Sequence, residues 1–464
     1  MFYGREDELK ILNKRYESDR FEFGYVYGQR RIGKTTLVDE FAKNKKSIVL
    51  FASDSDDKTI RDDFTDVLSS ITGITYGSFK NWDEFFEAVA KYFDDDKGVL
   101  IIDEYPNIML TRDGKRKKTD FVSKLQNAID HIFLKQKFLL ILTGSNVSFM
   151  EKEVGDTNAP LYKRNTFQLF ISKLEWTDAV KMLHGTNYEN IIKTLCLTDT
   201  FPYYLSLIDT TKSFEENLDN LFFAKDAPFV SDPSKIITSE IAASGLYASI
   251  MRNISSGINS VSALADALNI DTATISVYLE KMIKNKVVSK HYYFDSKRIT
   301  YYKIIDRMTS FYFRFIYSNV ELIKLGYGEA IKNKYKNAID NFIHLAFEDV
   351  CITYLNNLNK KMMLNTLYLS FEKYSVEHSI LNRSIELDIV SSSDDYLLAG
   401  ECKFSVSKKS INVYNKLKEN ISVEPFKKYK HQELYIFSSS GFDDRLLAVN
   451  DSSLHLIDLE KMLK

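Results

Sequence analysis

The run Gly28-Gln29-Arg30-Arg31-Ile32-Gly33-Lys34-Thr35 constrains this chain more than any other feature. It follows an apolar stretch, Phe23-Gly24-Tyr25-Val26-Tyr27, and opens an amphipathic one. That is the strand–loop–helix setting in which a GxxxxGK[ST] sequence closes around phosphate. The two glycines let the backbone curl until its N–H groups point inward at phosphate oxygens, and helix polarity adds to the attraction. Lys34 reaches the β/γ-phosphates, the Thr35 hydroxyl is a ligand for Mg2+, and Thr36 completes the nucleotide-binding set. Three further near-continuous apolar runs, Ser47–Phe51, Val99–Ile102 and Phe138–Leu142, read as strands of a parallel sheet buried on both faces. Amphipathic stretches between them give an α/β layout of βαβ units.

A Gly-rich turn with a chance lysine would not come with a second element of the right kind. Val99-Leu100-Ile101-Ile102-Asp103-Glu104 is an apolar strand ending in two acids. Asp103 is placed to hold Mg2+ and Glu104 to polarise the attacking water. No NKxD-type sequence is present to read a guanine base, which favours ATP over GTP. The run Phe138–Leu142 leads into Thr143-Gly144-Ser145-Asn146, so Ser145 and Asn146 are candidate sensors of the γ-phosphate.

In this order, Phe2-Tyr3-Gly4-Arg5-Glu6 with Glu8-Leu9, the phosphate loop, Ile102-Asp103-Glu104, Thr143-Gly144-Ser145 and Leu161-Tyr162-Lys163-Arg164 resemble the archaeal-type P-loop ATPases of the AAA+/STAND class. The resemblance extends over nearly the whole chain. It implies that Gly4-Arg5-Glu6 lies near the adenine and that Arg164 senses or stabilises γ-phosphate charge. Where the family often has a glycine before the proline of its lid motif, this chain has Phe201-Pro202-Tyr203.

From about residue 244 the pattern changes. Ser260–Leu268 reads as a helix, Asn269–Asp271 as a turn and Thr272–Lys284 as a second helix with Ile275, Leu279 and Met282 on one face. A hairpin of His291–Phe294 and Thr300–Lys303 follows, making a winged helix-turn-helix pattern. Lys281, Lys284, Lys286, Lys290, Lys297, Arg298 and Lys303 are opposed nearby only by Glu280 and Asp295, a patch suited to DNA phosphates. Thr272–Tyr278 carries no Arg or Asn for bidentate base reading, so sequence-specific recognition is not expected.

Beyond about residue 330 a helix containing Phe342–Leu355 precedes strand-like segments at Leu367–Phe371, Ile385–Val390, Leu397–Lys403 and Leu434–Phe437. Asp388 on one strand and Glu401 and Lys403 on the next resemble a PD-(D/E)XK nuclease core, with Glu348 as a fourth member. Two carboxylates sharing a divalent metal, and Lys403 beside a scissile phosphate, would compensate the cost of placing such charges mid-sheet. A cross-strand salt bridge is the alternative. Cys402, between them, belongs to the opposite, apolar side.

Lys and Arg number 62 against 64 Asp and Glu, a net charge of -2, so no global field draws the chain to nucleic acid or membrane. The three cysteines are scattered without CxxC or His at ligand spacing, which disfavours a structural zinc or a disulfide framework. No stretch nears the roughly 18 apolar residues of a membrane span, and structure-forming sequence starts at Phe2, leaving no room for a cleavable signal. A cytoplasmic location is expected. The 464 residues divide into a P-loop AAA+-type ATPase core (1–165), a helical lid (166–235), a winged helix-turn-helix (236–325) and a C-terminal α/β restriction-endonuclease-like domain (326–464). The expected function is an ATP-hydrolysing switch acting on DNA with ATP and Mg2+, the C-terminal domain being a metal-dependent nuclease-like unit. The alternative is a regulatory or protein-remodelling switch with a non-cleaving binding module and a protein partner or homo-oligomer in place of DNA.

Overall fold

A computed structural model describes residues 2–94, 96–111, 114–231, 245–296, 298–378 and 383–464. Lys297 of the expected basic patch, and the boundary placed at 235/236, lie outside the described residues. The chain divides into two units: Met1–Leu174 with Phe201–Tyr203 and Lys284–Lys286, and the remaining residues.

In the first unit α1 (Glu6–Tyr16) precedes β1 (Glu22–Tyr27), α2 (Lys34–Ala42), β2 (Ser47–Phe51), α3 (Asp57–Thr72) and α4 (Trp82–Phe93). Then come β3 (Gly98–Asp103), α5 (Phe121–His131), β4 (Phe138–Gly144), α6 (Val147–Gly155) and β5 (Phe167–Phe170). All five strands are parallel, in the order β2-β3-β4-β1-β5. Every residue of β3 and β4 is buried, as their uninterrupted apolar sequence requires of strands covered on both faces. Trp82, Phe85, Phe86 and Phe121 pack one side, Trp82 meeting Phe121 edge-on at 4.8 Å. The edge strand β5 falls where helical sequence was expected. Its four residues alternate buried and exposed and pair with β1, a pattern too short for periodicity to resolve.

The second unit contains α7 (Tyr188–Thr198), α8 (Phe214–Leu218), α9 (Val261–Leu268), α10 (Thr272–Lys284), β6 (Val288–Tyr292), β7 (Thr300–Ile304) and α11 (Gly328–Lys360). After these follow β8 (Glu372–His378), β9 (Arg383–Ser393), β10 (Tyr396–Lys403), α12 (Ile411–Ile421), β11 (His431–Ser438) and β12 (Leu454–Asp458). Ser260 caps α9 and Asp271 accepts from the Thr274 N–H at the start of α10, whose Ile275, Leu279 and Met282 are buried. β6 and β7 form an antiparallel hairpin whose first strand starts at Val288, earlier than the expected His291. β8 to β12 form one mixed sheet in the order β12-β11-β10-β9-β8, antiparallel at β8–β9–β10 and parallel at β10–β11–β12. Helix α12 is the crossover between the parallel β10 and β11 and buries Tyr414, Leu417 and Ile421.

The expected strand at Leu367–Phe371 is absent; pairing starts at Glu372. Leu367 and Leu369 are exposed, and the Asn359 side chain both donates to the Tyr368 carbonyl (2.8 Å) and accepts from its N–H (3.1 Å). That side chain takes the backbone bonds a strand neighbour would have made. No helix among the described residues is long and apolar enough to cross a membrane.

Candidate functional site

The order of the first sheet sets the first site. β1, which leads into the phosphate loop, and β3, which ends at Asp103, are not neighbours; β4 lies between them. Its last residues therefore face both. Gly28 closes against the Ile171 carbonyl so tightly that a Cβ there would sit 2.3 Å from that oxygen. Gly33 takes the left-handed conformation (φ 84) and caps α2. These two positions thus need glycine for different reasons, close approach and backbone handedness.

Lys34 is almost wholly buried; its ammonium donates to the carbonyls of Gly28 (3.1 Å) and Gln29 (2.9 Å) and to Ser145 Oγ (2.8 Å). The Ser145 hydroxyl in turn donates to the Glu104 carboxylate, which also accepts from the Ser145 N–H at 3.1 Å. Burial pushes the Lys34 ammonium down to about 8, although Glu104 and Asp103 pull the other way. Thr35 Oγ1 donates to Asp103 Oδ2 at 2.8 Å, and the Thr143 hydroxyl donates to Asp103 Oδ1. Glu104 itself is held at φ 54, left-handed for a residue with a side chain. Thr35 and Asp103 offer adjacent hard-oxygen donors, a set that fits Mg2+. Arg30 and Thr36 are exposed, Gln29 and Arg31 half-buried, and Ile32 is core.

Two further candidates have local partners. The Asn146 side chain accepts from the Phe149 N–H (3.0 Å) as the cap of α6. Both guanidinium faces of Arg164 are taken up in the same unit, by Asp130 (2.8 and 2.7 Å) and the Pro160 carbonyl (2.9 Å). Two residues that the sequence reading named in its motifs make contacts it did not foresee. Thr143, fully buried, orients Asp103; its signal was a hydroxyl inside an apolar strand. Arg5 donates to the carbonyls of Ile32 (3.1 Å) and Ser172 (2.7 Å), strapping the phosphate loop from the chain's start.

In the second unit, Ile389 of β9 faces Gly400 of β10, so Asp388 and Glu401 are the next residues on each strand. Two steps along β8 (Glu372 to Tyr374) oppose three along β9 (Val390 to Leu387), leaving a bulge at Asp388–Ile389. Asp388 accepts from the Cys402 N–H at 2.8 Å. Lys403 Nζ lies 2.5 Å from Glu401 and 3.8 Å from Asp388, bringing the expected trio together. Burial and the charge of Asp388 raise the Glu401 pKa despite Lys403. Burial lowers that of Lys403, and Glu401 with Asp388 more than offset it, so it ends raised. Glu348 is committed to Lys373 on β8, its pKa raised by burial and by nearby Asp388. Among the described residues no three Asp, Glu, His or Cys side chains meet in a metal-holding group, so the set offers two carboxylates. That suffices for Mg2+, which binds through one or two carboxylates plus phosphate and water. Cys402 is buried on the far side, beside Cys351.

The basic patch is only partly free. Lys281, Lys284, Lys286, Lys290 and Arg298 are exposed. Lys303 pairs with Asp349 of α11 at 2.6 Å, so it does not join them. The hairpin's far end docks on the C-terminal sheet: the Phe294 N–H donates to the Lys373 carbonyl (2.7 Å), and its ring stacks on Phe426.

Residues 2–206 match the family described as an ATPase domain predominantly from Archaea, and residues 312–414 match archaeal and bacterial proteins of unknown function. An uncharacterized protein of Methanocaldococcus jannaschii, MJECL04, is 27% identical over 401 residues, 85% of each chain. An uncharacterized ATP-binding protein of the same organism, MJ0423, is 39% identical over 46 residues, 10% of this chain and 78% of its own. Among solved structures, the Walker-type ATPase PABY2304 of Pyrococcus abyssi superposes with a TM-score of 0.54 at 17% identity, covering 67% of this chain and 96% of that one. The parallel sheet and its phosphate loop have the P-loop ATPase fold.

Proposed function

We propose that the chain is a Mg2+-dependent ATP hydrolase working as a nucleotide-driven switch on DNA. The observation that carries this reading is the convergence of Lys34 and Thr35 at the start of α2 with Asp103, Glu104 and Ser145 at the ends of the adjacent strands β3 and β4. The backbone N–H groups of Gly28–Gly33 cradle the phosphates and Lys34 neutralises the β/γ oxygens. Thr35 and Asp103 would hold Mg2+, which, when bound, supplies Lewis-acid polarisation of the phosphoryl oxygens. Glu104, once its carboxylate leaves Ser145, orients the attacking water and takes its proton. Steady-state hydrolysis and ATP binding test the assignment. Lys34→Ala should lose tight ATP binding, whereas Glu104→Gln should keep it and lose turnover by at least about 100-fold. Wild-type-like turnover in either variant rejects it.

We assign residues 236–325 to a winged helix that touches the DNA backbone without reading sequence, through the exposed lysines of α10 and Arg298. Residues 326–464 form a nuclease-like domain in which Asp388 and Glu401 hold the metal and Lys403 neutralises charge developing on the phosphate. The docking of Phe294 on Phe426 and of Lys303 on Asp349 also supports a second reading, in which the hairpin is a protein-contact element and the C-terminal domain binds without cutting. Nicking of plasmid DNA with Mg2+ or Mn2+ by wild type but not by Asp388→Ala supports cleavage. Absence of nicking by both favours the second reading.

A further inference from the structure

Helices α7, α8 and α11 and the residue after β10 enclose a cavity of about 240 Å³ that neither the nucleotide site nor the Asp388 cluster uses. Its floor is apolar: Phe214, Leu218, Ile339, Ile343 and the ring of Phe404. Its rim carries Lys193, Lys332 and Lys336 against Glu215 and Asp340. A concave apolar chamber with a few polar groups at its mouth is the usual form of a small-molecule site.

The ion pairs at the rim decide which charge is available. Lys193 is matched by Glu189 (3.0 Å) and Glu215 (3.4 Å), and Lys332 by Asp219 (2.5 Å). Lys336 has no acid within ion-pair distance among the described residues; it stands exposed at the mouth one helical turn from Asp340, which likewise has no cation at that distance, with exposed His344 one turn further along. The backbone beside the cavity is irregular as well. A π-helical turn, Asp219–Phe223, continues directly from Leu218, a distortion that recurs where helices border functional sites.

We infer that this cavity binds a small organic monoanion with an apolar, ring-sized or medium-chain body. The body lies on Phe214, Ile339, Ile343 and Phe404, and a single carboxylate or sulfonate meets the Lys336 ammonium. One unmatched lysine suits one negative charge; a phosphate monoester, near −2 at neutral pH, would leave charge uncompensated at an apolar mouth. Because Phe404 follows Lys403 directly in the chain, a ligand on its ring also fixes the end of β10.

The full-length protein can be titrated with 8-anilinonaphthalene-1-sulfonate, whose fluorescence rises on entering an apolar site, and then challenged with octanoate or dAMP. Saturable binding of one probe per chain is expected, displaced by octanoate and not by dAMP. Lys336→Glu, a surface change that leaves the core intact, should weaken it at least tenfold, while Lys336→Arg retains it. Circular dichroism and ATP hydrolysis of Lys336→Glu should match wild type. An unchanged titration in Lys336→Glu, equal loss in Lys336→Arg, or displacement by dAMP alone overturns the inference.

Discussion

Burial leaves Lys34 with an ammonium held less firmly than that of an exposed lysine. Its pKa falls from 10.5 to about 8, so between those values the folded chain binds fewer protons than the unfolded one. The sign follows by linkage: the stability of the free domain rises as pH climbs from 8 to 10.5, and below 8, where both states are protonated, the contribution is level. ATP affinity should move the opposite way, because the ammonium is the binding form; it should fall up to about tenfold per pH unit above 8. Thermal melts and ATP titrations from pH 7 to 10 should cross in this fashion, and Lys34→Met should flatten the pH dependence of the melts. At Gly28 a methyl group would collide with the Ile171 carbonyl, so Gly28→Ala should weaken ATP binding by far more than the small change in backbone propensity implies. The meeting of Lys34, Thr35, Asp103, Glu104 and Ser145 was legible because its signals are local: a loop, a strand end, a hydroxyl beside a lysine. The contacts of Arg5 were not, since the carbonyls it holds lie 27 and 167 positions away. The Ser145 bridge was legible only in part; the strand end gave the hydroxyl, while its span from Lys34 to Glu104 depends on β4 lying between β1 and β3.

Among the elements, α10, the residues after it and the hairpin β6–β7 divide their cations between two tasks. Replacing Lys284, Lys286 and Arg298 with Ala should weaken binding to every DNA sequence alike and reduce the salt slope by roughly 2 to 3, measured by anisotropy across 50–200 mM salt. Lys303→Ala should leave that slope alone and instead lower stability, by up to about 1 kcal/mol, through its half-buried pair with Asp349. If Lys303→Ala flattens the slope as much as the triple variant, the hairpin is not docked in this way in solution. Helices α9 and α10 were readable from apolar spacing and caps, because both signals lie within one element. Leu367–Phe371 was misread because its apolar side chains suggested a strand, while the bonds that hold it come from Asn359 on a preceding helix. β5 was missed for the converse reason: four residues carry too little pattern, and only β1 gives them a partner.

For the molecule as a whole, the two tryptophans fall one in each unit. Trp82 is sealed in the first core, and Trp176, also buried, donates to the Met462 carbonyl in the second. Single-tryptophan variants therefore report separately on the unit that carries the phosphate loop and on the other. Saturating ATP with Mg2+ should raise the Trp82-reported transition, by about 2.7 kcal/mol of stability at 100 times Kd, before it moves the Trp176 signal. A first response at Trp176 would place the binding site in the wrong unit. The sheet order also governs how the protein emerges during synthesis. β1 pairs only with β4 and β5, both of which come more than a hundred residues later. A ribosome that has released the phosphate loop and even Asp103 has thus made both halves of the nucleotide site without the strand that joins them. Until Phe138–Gly144 arrives, β1 has no neighbour and β3 is open along one edge. Fragments stopped at residue 131 should consequently be protease-sensitive and prone to aggregate, and those extended to residue 174 should resist both.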